Sequence, residues 1–185
     1  MLVLASASPR RQELLRNAGI PFEVQPAHIC EDVLPGETAK DCAERLALEK
    51  ALAIASRRPH DYVLGADTVV SVDGIILGKP TDAAHAARML RLLSGRTHQV
   101  ITGVCLMVSG QPSVSSETTQ VTLNAITDKD ITDYVATGEP MDKAGAYAIQ
   151  GIASRWIPRI EGDYSNVVGL PLALVYSMLL RAGII

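Results

Sequence analysis

The chain has 185 residues, a length suited to one domain that buries about 70% of its unfolded surface and needs no disulfide or metal staple. Hydrophobic residues at 48% and charged residues at 20% exclude a disordered tail protein. A net charge of −3 offers no basic field for a polyanion, and 4% aromatic content offers no rows of stacking platforms, so nucleic acid is excluded as a partner.

In chain order, Leu2–Ala5 has no basic segment ahead of it and reads as a buried strand rather than a secretion signal. Residues 9–18 read as a helix that Gly19 stops just before Pro21. A strand over 22–25 and a long Ala-rich helix over 37–56 follow. Strands over 62–72 and 75–77 flank Asp73-Gly74, a strong hairpin signal. A helix from Asp82 to Leu93 ends at Ser94-Gly95, and strands over 99–108 and 114–123 flank Gly110-Gln111-Pro112. Thr127-x-x-Asp130 is a capping box for a helix ending near Gly138, and two more short strands lead to a C-terminal helix from Leu172. The expectation is one mixed α/β domain over 1–185 with antiparallel hairpins, not a purely doubly wound sheet.

The longest apolar stretch, 170–180, contains Pro171 and falls short of the roughly 20 residues of a membrane span. A soluble, cytoplasmic protein with no membrane partner is expected. Cys30, Cys42 and Cys105 are odd in number and scattered, which implies no disulfide framework. The four histidines supply no zinc spacing, and His28-x-Cys30 reads as structural.

Four features carry chemistry. Ser6-Ala7-Ser8-Pro9-Arg10-Arg11 joins the first strand to the first helix, with Ser8 as N-cap and Pro9 at the first helical position. Two arginines in that first turn oppose the helix dipole, each by about 0.3–1 kcal/mol. Cap hydroxyl, free N–H groups and guanidinium forks together make an anion site; the alternative is that both arginines are solvated or pair with Glu13 or another carboxylate. Lys50 falls in the middle of the stripe formed by Ala39, Ala43, Leu46 and Ile54 on the 37–56 helix, so it either meets an anion or snorkels out. Asp67, in Gly65-Ala66-Asp67-Thr68, interrupts an apolar strand. It is either a catalytic or metal-binding carboxylate or one satisfied by backbone N–H groups at a bulge. Gly78-Lys79-Pro80 sets a further cation near it, and Glu31-Asp32 is a paired acid in a loop.

The segment Asp142-Lys143-Ala144-Gly145-Ala146-Tyr147-Ala148, followed by Gln150-Gly151, is too rich in small residues to be packing filler alone. No GxxxxGK[ST], GxGxxG, nucleophile elbow or Cys–His signature is present. Scattered cations around two or three carboxylates describe a site for a small phosphorylated molecule with Mg²⁺.

These motifs, with Gly169-Leu170-Pro171, resemble in order and over nearly the whole chain those of the Maf family of nucleoside triphosphate pyrophosphatases. The resemblance implies a two-lobed α/β fold with a long bent sheet and a groove between lobes, related to the inosine triphosphate pyrophosphatases. It implies hydrolysis of a nucleotide to monophosphate and pyrophosphate with a divalent metal, Mg²⁺ or Mn²⁺, and frequent homodimers. Asp67 matches the catalytic base. Arg11, Lys50 and Lys79 match phosphate-contacting cations, and Glu31 matches a groove acid that would share the metal with Asp67. Arg10, Thr68 and Gln150 match specificity positions of the branch acting on dTTP and UTP. The 7-methyl-GTP branch carries Trp in place of that first Arg and Gln after the Asp, and this chain has neither. Ser8 joins the substrate contacts. Base recognition is expected from hydrogen bonds by Thr68, Gln150 and backbone, with little stacking. A nucleotidyltransferase and a nucleotide-sensing regulator of septum formation are the rival classes.

Overall fold

The computed structural model describes residues 1–185. Seven strands form one sheet in the order β2-β1-β3-β5-β6-β7, with β4 paired to the same edge of β3 as β1. The strands are β1 (Leu2–Leu4), β2 (Glu23–Val24), β3 (Tyr62–Val72), β4 (Ile75–Leu77), β5 (Thr97–Val108), β6 (Gln111–Thr122) and β7 (Arg159–Glu161). β1 runs parallel to β2 and β3, and every other pairing is antiparallel. The sheet is therefore mixed, as expected from hairpin signals set among helices.

Both hairpins turn on two residues with positive φ: Asp73 and Gly74 at 51° and 77°, Ser109 and Gly110 at 49° and 77°. Such turns match the twist of the flanking strands. The second turn is one residue pair earlier than the Gly-Gln-Pro reading, so Gln111 and Pro112 belong to β6. Pro112 is tolerated because β7 pairs only with Gln120–Thr122 and leaves that end of β6 as an edge. Of the two short strands expected before the C-terminal helix only β7 forms; between it and that helix lies a short helix capped by Asp163, which accepts from the Ser165 N–H at 2.7 Å.

Side-chain alternation along β3 and β5 assigns the two faces. Val63, Val69, Ile101, Cys105 and Met107 meet α2 (Ala39–Ala55), together with Val3 and Ala5. The opposite face carries two further cores. Leu64, Ala66, Val104 and Leu106 pack under α1 (Pro9–Asn17) and α6 (Leu172–Arg181). Val70, Val72 and Val100 pack under α3 (Ala83–Leu93) and α4 (Asp128–Ala136), with Tyr147 and Trp156. The short α5 (Tyr164–Val168) joins the two groups, anchored by the buried Asn166, whose amide donates to Val100 O at 3.0 Å and Thr119 Oγ1 at 3.1 Å.

Two glycines let α2 lie on the sheet. A Cβ on Gly65 would stand 2.2 Å from Ala47 O, and one on Gly103 would stand 2.2 Å from Ala43 O. Both adjoin Asp67 on the same face, since Gly103 is its partner across the β3–β5 ladder and Gly65 precedes it by two residues on β3. This close approach carries Lys50, one turn beyond Ala47, down to the strand.

Candidate active site

The active-site candidate follows from a gap in strand pairing. β1 accompanies β3 only as far as Leu64, and β4 begins at Val70. Between those points the β3 edge opens onto a cleft of about 650 Å³. Its walls are the Ala5–Arg11 turn, the 142–150 segment and Val167–Gly169, and Lys50, Asp67 and Thr68 lie within it.

Asp67 and Lys50 form the buried centre. The Lys50 Nζ donates to Asp67 Oδ1 at 2.6 Å and lies 2.6 Å from Glu31 Oε1. Lys50 and Asp67 are each 7% exposed, so this lysine does not snorkel out, and the unbroken β3–β5 register through Asp67 shows that this carboxylate is not at a bulge. Asp67 Oδ2 accepts no hydrogen bond from the protein, and Asp67 lines the cleft. Glu31 also meets the exposed Lys79 at 3.6 Å. Burial pushes the Glu31 carboxyl up, but hydrogen bonds and charge from Lys50 and Lys79 outweigh it and hold the group below its ordinary value.

The loop bearing Glu31 is itself clamped. Arg45 of α2 grips Glu37 with Nε at 2.6 Å and Nη2 at 2.9 Å, and Nη2 also reaches Asp32 O at 2.9 Å. This bidentate pair holds the Glu37 carboxyl down to about 2.

The two sequence arginines separate in role. Arg11 is buried and spends its fork on uncharged acceptors: Gly169 O at 2.7 Å, Ala66 O at 2.9 Å, Thr68 Oγ1 at 3.0 Å and Ser6 Oγ at 3.1 Å. Burial lowers its pKa, opposed by Asp67 and Glu31 and reinforced by Arg10. One N–H of the five remains, beside a positive charge that no acceptor neutralises. Arg10 stays half-buried at the rim and reaches across the cleft to Asp142, 3.9 Å away. Ser8 caps α1, accepting from the Arg11 N–H at 3.5 Å, while its own N–H donates to Ser6 Oγ at 3.2 Å.

Thr68 follows Asp67 and therefore faces the other side of the sheet. Its hydroxyl accepts from Arg11 and bonds Thr102 Oγ1 at 2.9 Å. The hydroxyl thus braces the Arg11 guanidinium, a contact its sequence position alone does not disclose. Gln150 stands on the far wall, exposed and lining the cleft.

Other residues support the site without any strong sequence signal. Glu139 holds the turn after Gln150: its carboxylate accepts from Tyr134 OH at 2.7 Å and from Ile152 N–H at 3.1 Å. His98 holds Tyr147, a wall residue, at 2.7 Å. Thr102 was detectable as a polar residue within an apolar strand, whereas Glu139 and His98 sit in unremarkable surroundings. Gly145, at φ 70°, presses on Val70, where a Cβ would come within 2.9 Å, and its N–H donates to Gly78 O at 3.1 Å. The small residues of this segment thus pack on β3 as well as lining the cleft.

No three His, Cys, Asp or Glu side chains gather into a metal cluster. The acids come as a pair from separate segments, Glu31 and Asp67, whose oxygens converge on one cationic atom. That hard-oxygen pair fits Mg²⁺ or Mn²⁺ where phosphate oxygens complete the shell.

Fold and site together define an α/β protein with a cleft that gathers Arg10, Arg11, Lys50 and Lys79 around Asp67 and Glu31. The same fold occurs in a HAM1 protein from Coxiella burnetii, 20% identical, with a TM-score of 0.50 and coverage of 97% of this chain and 98% of that one. The Maf family, described as Maf-like protein, matches residues 1–182, and the chain belongs to it. A protein of Koribacter versatilis named dTTP/UTP pyrophosphatase is 58% identical over 184 residues, covering 100% of this chain and 95% of the relative. One of the same name from Symbiobacterium thermophilum is 53% identical over 182 residues, covering 98% and 94%.

Proposed function

We propose that this protein hydrolyses pyrimidine nucleoside triphosphates, dTTP and UTP foremost, to the monophosphate and pyrophosphate. The observation that carries the reading is the buried Asp67–Lys50 pair beside Glu31, on the floor of a cleft rimmed by Arg10, Arg11 and Lys79. The names of the near full-length relatives support the substrate class.

Glu31 and Asp67 would hold the divalent cation. When bound, that ion neutralises triphosphate charge and polarises the phosphorus. Arg10, Lys50 and Lys79 draw the triphosphate in, with the N-terminus of α1 behind Ser8. Arg11 contributes mainly as a fixed positive charge, because Thr68, Ser6 and Gly169 already occupy most of its donors. Gln150 reads the base, and Arg10, held only loosely by Asp142 at 3.9 Å, can turn from the phosphates to join it, while Thr68 acts on specificity by aiming Arg11. Water attacks the α-phosphorus in line, its proton passes to Asp67, and the bond to the bridging oxygen breaks to release pyrophosphate.

Incubation with dTTP and Mg²⁺, followed by product analysis, should yield dTMP and pyrophosphate. Appearance of dTDP and orthophosphate would move the cleavage to another phosphorus and defeat this mechanism. Binding without consumption would favour a sensor, and transfer to an added acceptor would favour a nucleotidyltransferase. Asp67→Asn should lose about 10²–10⁴ in kcat, measured beside a circular-dichroism melt that confirms folding.

A further inference from the structure

We propose that Lys50 is a placeholder for the divalent cation: in the nucleotide-free protein its ammonium occupies the position between Glu31 and Asp67 and keeps metal out. The idea rests on the pyrophosphatase reading for its need of a metal and a triphosphate, and goes beyond it by assigning a binding order. Nζ lies 2.6 Å from each carboxylate, on Glu31 Oε1 and Asp67 Oδ1, with the lysine side chain 8% exposed. A divalent ion of Mg²⁺ size must approach such oxygens to about 2.1 Å. Ammonium and metal cannot share the same two oxygens, because each oxygen would then hold both cations at bonding distance, with the two charges within a few ångströms of each other.

A metal that takes those two oxygens displaces the lysine from its carboxylates, and a buried ammonium leaves only for other acceptors. The oxygens of an arriving triphosphate are such acceptors, within the same cleft. Lys50 has a flexible four-carbon stem and a point charge that can change partners, which a planar guanidinium does less readily. Lys79 cannot play this part, being 60% exposed and 3.6 Å from Glu31. Metal and nucleotide thus enter together, and metal alone is held weakly.

Binding of Mn²⁺ without nucleotide, read from the free-ion paramagnetic resonance signal, tests this directly. Lys50→Met should bind one Mn²⁺ at least about tenfold more tightly than the unaltered protein. Lys79→Met should change affinity by less than about threefold, as an exposed partner does, and adding Glu31→Gln to Lys50→Met should remove the gain. Removal of Lys50 leaves two acids facing each other, so the variant could unfold in chelator. Mn²⁺ should then restore its melting transition, because the ion replaces the missing ammonium. Mn²⁺ binding in Lys50→Met no tighter than in the unaltered protein, or a failure of Mn²⁺ to restore an unfolded variant, overturns the proposal. Pyrophosphate release by the unaltered protein alongside that result would leave the enzymatic reading intact. A gain in Mn²⁺ affinity in Lys50→Met, together with no turnover of dTTP by the unaltered protein, would support the placeholder and sink the enzymatic reading alone.

Discussion

Arg11 and His98 show how burial redirects side chains that look ordinary in sequence. Arg11 stands in a helix first turn where the dipole opposes it, and four uncharged acceptors hold it in place. His98 is 2% exposed, bonded through Nε2 to Tyr147, and its Nδ1 has no hydrogen-bond partner. Burial lowers its pKa to about 4, so the folded state keeps the ring neutral where the unfolded chain protonates it. As pH falls through the ordinary value of about 6.5, the unfolded chain takes up a proton first. Stability should accordingly drop by about 3 kcal/mol between pH 6.5 and 4 from this group. His98→Phe should be about 1–2 kcal/mol less stable at pH 7, since the Tyr147 hydroxyl loses its partner, yet flatter over that window. Urea titrations of both proteins at pH 7, 5.5 and 4.5 measure the difference.

Among the elements, α2 and β3 determine the centre of the site. The stripe of α2 is visible in sequence and leaves Lys50 to meet an anion or snorkel out; the structure shows it meeting Asp67 and Glu31. What the stripe cannot disclose is the depth of approach, set by Gly65 on β3 and Gly103 on β5. Gly103→Ala should place a methyl against the Ala43 carbonyl and push α2 away, costing about 3 kcal/mol or more. The same shift should withdraw Lys50 from Asp67 and lower turnover beyond the loss of stability. Chemical denaturation together with kcat measured well below the melting temperature separates the two effects. β3 was legible as a strand from its apolar residues. That Asp67 and Thr68 serve opposite faces follows from its period of two, which the motif Gly-Ala-Asp-Thr conceals by reading as one unit.

For the whole molecule, one sheet threads every core, and the cleft lies where the partner of β3 changes from β1 to β4. We propose that residues 1–185 fold as a single domain, since β3 and β5 contribute to each of the four hydrophobic clusters or border them. Trp156 reports on the cluster beneath α3 and α4, while far-ultraviolet circular dichroism reports on all elements. Urea unfolding followed by both signals should give coincident single transitions. Two separated midpoints would divide the chain into independently folding parts. No helix is long and apolar enough to cross a membrane.

Composition, apolar periodicity and turn residues were enough to determine a mixed α/β chain and the identity of its unusual charges, because those are local properties of the chain. They were also enough to mark Asp67 and Lys50 as polar groups in apolar settings, which physics permits only with partners. Only the tertiary structure decided who the partners are. It joined Lys50 to both Glu31 and Asp67, spent the Arg11 fork on neutral acceptors, and bonded the Thr68 hydroxyl to that arginine and to Thr102. Those outcomes depend on contacts between residues as far apart as Arg11 and Gly169, and no local pattern encodes a distance of that kind.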